Sequence, residues 1–169
     1  VPVEEMLAVI AKLEEMGCVI SRQENALTLH GPERLSAFAQ LQTQPHPGFP
    51  TDMQAQMMAI ASLAKGTSVV VENVFENRFA HAGDLNRMGA HILCTGRTAV
   101  VRGVRELYGA RVTARDLRGG AALVLAGLKA HGETHVEHAE LIDRGYDHLE
   151  RQLTELGANI RRVSGEATE

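Results

Sequence analysis

A chain of 169 residues, 44% hydrophobic and 22% charged, has the size and make-up of one globular domain or one lobe of a larger protein, not of a disordered or membrane segment. Its net charge of −4 argues against nucleic acid as a partner, and an aromatic share of 4%, with no tryptophan, leaves little to stack on bases or sugars. No apolar run approaches the roughly 20 residues of a membrane helix and no signal peptide is read, so no membrane partner and a cytoplasmic location are expected.

The first predicted helix carries Met6, Ile10, Leu13 and Met16 at helical spacing and ends in "LEEMGCVI" (13–20), where Gly17 breaks it before a β-run. Further on, "PHPGFPTDMQAQMMAIASLAKG" (45–66) sets a turn before a helix that is apolar on nearly all sides, the mark of a buried helix. Its opening "TDMQ" matches a capping box, with Thr51 as N-cap and Gln54 as its partner. A strand, "TSVVVENV" (67–74), follows, and then "ENRF", which puts Arg78 at the start of a surface helix ending in "LNRMGAHI" (85–92). "TAVVRGV" (98–104) closes a sheet, and a second buried helix, "DLRGGAALVLAGLKAHG" (116–132), opens on Asp116. "ETHVEHAE" (133–140) is its strand, and "DRGY" places Arg144 before the last surface helix, with Tyr146, Leu149, Leu153 and Leu156 on one face and "LTELGANI" (153–160) at its end.

The three glycine-broken helix ends recur about 70 residues apart, so the chain is a repeat. The unit is buried helix, strand, surface helix, strand. It divides the chain into a truncated repeat 1–44, a second repeat 45–108 and a third 109–169, and the missing start of the first suggests a chain lacking its N-terminal part. Short sheets backed by helices, with the most apolar helices inside, predict an α/β architecture with helices at the centre.

Repeats related by rotation would gather their helix N-termini, whose free N–H groups and partial positive charge favour anions. The residues there are Thr51, Asp52, Asp116 and Arg118, with Arg78 and Arg144 at the surface-helix starts. On pattern alone Asp52 and Asp116 are equally first-turn acids that favour the helix dipole, and the two arginines equally surface ion-pair partners. Arg97, Arg102 and Arg105 belong to a solvated hairpin. His131, His135 and His138 make a poor metal set, since strand positions 135 and 138 face opposite ways. Cys18 and Cys94 read as structural thiols at strand starts.

Four stretches, "PHPGFPTDMQAQ", "VFENRFAHAGDLNRMGAHI", "RDLRGGAALVLAGL" and "IDRGYDHLERQLTELGANI", together resemble the C-terminal lobe of the enolpyruvyl transferases of the UDP-N-acetylglucosamine 1-carboxyvinyltransferase family, in order and over nearly the whole chain. The resemblance implies a two-lobed enzyme, each lobe an inside-out α/β barrel of three repeats around buried helices. It implies transfer of the enolpyruvyl group of phosphoenolpyruvate to the sugar 3′-hydroxyl of UDP-N-acetylglucosamine, releasing phosphate through a tetrahedral intermediate, as the opening step of peptidoglycan synthesis. No metal or organic cofactor is implied. Asp52 matches the acid assigned as base for the sugar hydroxyl, and Asp116 a second acid at the reacting centre. Val74 and Phe75 match the stretch against the sugar nucleotide, Val74 through its backbone. Arg118 and Arg144 match the arginines that grip phosphoenolpyruvate; Arg78 matches a motif position without an assigned role.

The family's other lobe, with its lysine and its proton-donor loop, has no counterpart in this sequence, nor has the first strand of this lobe. Cys18 and Cys94 lie outside that loop context. The chain alone is therefore expected to be inactive, to need the missing lobe as partner, and to self-associate through contacts left open. Two other readings stand beside this one: a lobe of the sister transferase acting on 3-phosphoshikimate, and a non-catalytic module binding anions or a protein partner.

Overall fold

The computed structural model describes residues 3–23 and 26–163. Helix α1 (Leu7–Glu15) leads into an antiparallel hairpin of β1 (Val19–Gln23) and β2 (Ala26–His30). A four-stranded sheet follows, in the order β3 (Gln40–Gln42), β4 (Thr67–Val71), β6 (Thr98–Arg102), β5 (His91–Thr95). Strands β3 and β4 run parallel because α2 (Gln54–Ala61) crosses between them, and α3 (Ala82–Arg87) precedes the antiparallel β5–β6 hairpin. The pattern returns with β7 (Arg111–Thr113), α4 (Leu117–Lys129) and a parallel β8 (His135–Glu137), then α5 (Leu149–Glu155).

Helix α2 reads as buried and is: seven of its eight residues are buried, among them Met57 and Met58. It packs against α4, and the pair forms the centre of the main apolar core with Phe38, Leu41, Val70, Leu85 and Val101. The expected α/β architecture is thus present, with α2 buried in its core. Gly17, Gly89 and Gly157 each follow a surface helix at φ of 96°, 97° and 92°, a left-handed turn that only glycine makes without strain.

Four expectations need correction. Helix α4 is buried on one side only, since Leu125 and Leu128 face outward. Residues 158–163 form no strand, because no neighbouring chain offers them a ladder among the described residues, and Leu156 is accordingly 84% exposed. Cys18 is buried just before β1, but Cys94 is exposed: it shares the face of the buried Ile92 on β5, yet stands at the hairpin end of the strand. The predicted strand 133–140 shortens to the three residues of β8, its partner β7 being equally short.

Candidate active site

Strand β4 ends at Val71, and the next residue is the buried acid Glu72, 1% exposed. Its Oε1 accepts hydrogen bonds from Thr43 Oγ1 at 2.8 Å and from the backbone N–H of Val74 and Phe75 at 2.9 and 3.1 Å. Its Oε2 accepts from Thr51 Oγ1 at 2.9 Å. One carboxylate thereby joins the segment after β3, the turn before α2 and the loop after β4. A buried charge is tolerated when its lone pairs are filled in this way.

Thr51 passes the order on. Its Oγ1 accepts from Arg78 Nη1 at 2.8 Å, and the Arg78 guanidinium lies 4.2 Å from the centre of the Phe75 ring, a cation–π contact. The same Nη1 is 3.5 Å from Asp52 Oδ1, and Arg118 Nε pairs with that oxygen too. The Arg118 hydrogen bond holds the Asp52 carboxyl below the ordinary carboxylate range, against the opposite effect of partial burial. Asp52 remains more than half exposed, so it is a charged acceptor within reach of a ligand.

Asp116 is the N-cap of α4: its Oδ1 accepts from the N–H groups of Arg118 and Gly119, both at 2.9 Å. The capping role therefore falls on Asp116, while the capping box predicted for Thr51 and Gln54 does not form. The segment Thr51–Met53 is a 3₁₀ turn capped by no side chain, the Thr51 hydroxyl is committed to Glu72, and Gln54 turns along α2 towards Met58 Sδ. The first-turn amides of α4 are occupied by Asp116, so guanidinium groups rather than free N–H groups supply the positive charge.

Thr51, Arg78, His81, Asp116 and Arg118 line one shallow pocket at this end of α4. Val74 and Phe75 stand exposed on the loop after β4, and the Val74 N–H is already donated to Glu72, which leaves its carbonyl for a ligand. Arg78 and Arg144 lie in turns ahead of α3 and α5 rather than at the helix starts. Arg144 is exposed and makes no ion pair among the described residues. Its turn belongs to this end of the molecule, for Tyr146 accepts a hydrogen bond from Gln56 Nε2 at 2.7 Å and feels the charges of Arg118 and Asp52.

Sequence reasoning missed Glu72, although a lone acid in "VVVENV" is a signal of a buried, fully paired carboxylate. It missed His81 as well, which is 2% exposed. Glu72→Gln places an amide against groups that donate, and is expected to cost about 2 kcal/mol in urea unfolding; an unchanged midpoint would mean that Glu72 does not hold these three segments together.

Residues 2–153 match the family described as EPSP synthase (3-phosphoshikimate 1-carboxyvinyltransferase). The chain belongs to that family. Within it, the chain is 58% identical over 160 residues to a UDP-N-acetylglucosamine 1-carboxyvinyltransferase 1 of Symbiobacterium thermophilum, covering 95% of this chain and 36% of the relative. It is 54% identical over 159 residues to a UDP-N-acetylglucosamine 1-carboxyvinyltransferase of Myxococcus xanthus, covering 94% and 38%. Among solved structures, the enolpyruvyl transferase NikO of Streptomyces tendae superposes with a TM-score of 0.83 at 27% identity, over 92% of this chain and 36% of that one. EPSP synthase of Acinetobacter baumannii gives 0.71 at 26% identity, over 95% and 38%. This member of the family thus spans little more than a third of those relatives, and the resemblance read from its four motifs holds.

Proposed function

We propose that this chain is one lobe of a UDP-N-acetylglucosamine 1-carboxyvinyltransferase, an inside-out α/β barrel whose repeats run 1–44, 45–108 and 109–169. Strand β3 stands at the first border and pairs across it with β4. The observation that carries the reading is the convergence of Arg118 and Arg78 on one carboxylate oxygen of Asp52, beside the capped start of α4.

The chemistry suits that cluster. A carboxylate is too weak a base to ionise an alcohol beforehand, but it accepts the proton as the new C–O bond forms. Asp52, kept ionised by Arg118, fills that role for the sugar 3′-hydroxyl. Arg118 and Arg144 hold the phosphate and carboxylate of phosphoenolpyruvate and offset the charge that develops during addition. An incoming phosphate offers Arg118 a second anion and loosens its hold on Asp52. Asp116 fixes the first turn of α4 with one oxygen and keeps the other, Oδ2, for the reacting centre. The Val74 carbonyl and the Phe75 ring, the latter braced by Arg78, receive the sugar nucleotide. The sister reaction on 3-phosphoshikimate is less well supported, since 58% identity to the sugar-nucleotide enzyme far exceeds 26% to the EPSP synthase.

Given both substrates, the chain by itself is expected to release no phosphate. Grafted in place of the matching segment of the Symbiobacterium thermophilum relative, it is expected to restore turnover with UDP-N-acetylglucosamine. Phosphate release by the single chain, or a folded graft that uses only 3-phosphoshikimate, overturns the reading. The outward Leu125 and Leu128 of α4 should also promote self-association; light scattering that finds a clean monomer at high concentration would count against it.

A further inference from the structure

His81 lies between the Arg78 turn and α3, walls the pocket, and is 2% exposed. Its Nε2 is buried and has no hydrogen-bond partner among the described residues. A buried polar atom without a partner is uncommon in folded proteins and calls for a partner from outside the chain.

The neighbouring backbone is shaped to admit one. Gly119 sits in the first turn of α4, where a Cβ would lie 3.0 Å from Asp116 Oδ2 and 3.1 Å from His81 Cβ. Glycine within a helix is less favourable than alanine, yet at this position the missing methyl leaves open the space between the Asp116 carboxylate and the His81 side chain. Asp116 Oδ1 is committed to the two α4 amides, whereas Oδ2 faces that gap. Burial keeps the ring neutral against the pull of Asp116 and Asp84, so it offers an uncharged N–H beside two carboxylates. Such a donor can bind an anionic oxygen without forming an ion pair with Asp116.

We propose that His81 is a substrate-binding residue, its Nε2–H donating to an oxygen of the phosphate or carboxylate that Arg118 holds, through the gap left by Gly119. The assignment rests on the pocket being the anion site of the proposed transferase.

The test follows the His81 Nε2 and Arg118 Nε resonances of the ¹⁵N-labelled chain as phosphoenolpyruvate, and separately inorganic phosphate, is added. Both nitrogens are expected to shift together with phosphoenolpyruvate. A matching response to inorganic phosphate identifies the phosphate as the group bound, and a response to phosphoenolpyruvate alone identifies the carboxylate. Movement of Arg118 with His81 unmoved removes His81 and leaves the anion site standing; no movement of either removes both. Gly119→Ala supplies the second measurement. Its helix should be intact by circular dichroism, and phosphoenolpyruvate should bind at least tenfold more weakly. Unchanged affinity in that variant also overturns the proposal.

Discussion

Asp52→Asn is expected to lower kcat of the grafted transferase by about 1,000-fold while KM for phosphoenolpyruvate changes little, the range in which a positioned general base acts. Asparagine keeps the size of the side chain and its place in the 3₁₀ turn, so folding should survive. It removes the charge that Arg118 and Arg78 converge upon, and with it the ionised acceptor that the cluster leaves open to a ligand. Arg118 then loses its intramolecular partner, which frees it for the substrate anion and limits any rise in KM. Steady-state kinetics with both substrates decide the matter: a variant retaining more than a tenth of the parent kcat cannot have lost the base. The acid side of the profile adds an independent check. Because the Arg118 hydrogen bond lowers the Asp52 pKa in the folded chain, the stabilisation it brings is present above the unfolded carboxylate value near 4 and is lost as pH falls through the lower folded one. Asp52 is more than half exposed, so this contribution to stability is small, and its removal should show mainly in rate.

The local grammar of the chain was legible where neighbours along the sequence decide the outcome. A helix apolar all round had to be buried, and α2 is; three glycines after three leucine-bearing helices had to turn left-handed, and they do. The site was legible only as a set of residue types, because its partners are far apart in sequence. Thr51 looks like an N-cap from its own stretch, but the Glu72 carboxylate, reached through β4, takes its hydroxyl and alters the start of α2. For Asp116 Oδ1 no distant group competes among the described residues, and the local rule prevails. Leu156 failed for the opposite reason: helical spacing marks a face, and only a packed neighbour can bury it. The same holds for Cys94: alternation sets it on the face of the buried Ile92, yet at the hairpin end of β5 it stays exposed. What joins Asp52 to Arg118 and Arg78 is the crossing of α2 and α4 at the core, a tertiary fact that residue spacing alone does not encode.

Acid should weaken this fold between about pH 6.5 and about pH 4, by an amount on the order of 3 kcal/mol, and His81→Gln should flatten that slope. Burial lowers the His81 pKa to about 4, with Asp116 and Asp84 pulling the other way. Between that value and the ordinary imidazole value of 6.5, the unfolded chain binds a proton at this residue and the folded chain does not. Stability therefore rises with pH across the window and is lost on acidification, the reverse of a histidine that gains a carboxylate partner on folding. The other histidines of the described chain are exposed. Urea midpoints measured from pH 7 to pH 4 give the slope directly, and glutamine, which cannot titrate, separates the proton from the packing: a changed packing shifts its stability equally at every pH, whereas its dependence on pH should not follow the parent. A parent slope that persists in His81→Gln would mean that folding does not lower the His81 pKa. Burial would then not be what keeps the ring uncharged beside Asp116, and the donor inferred for the pocket would lose that ground.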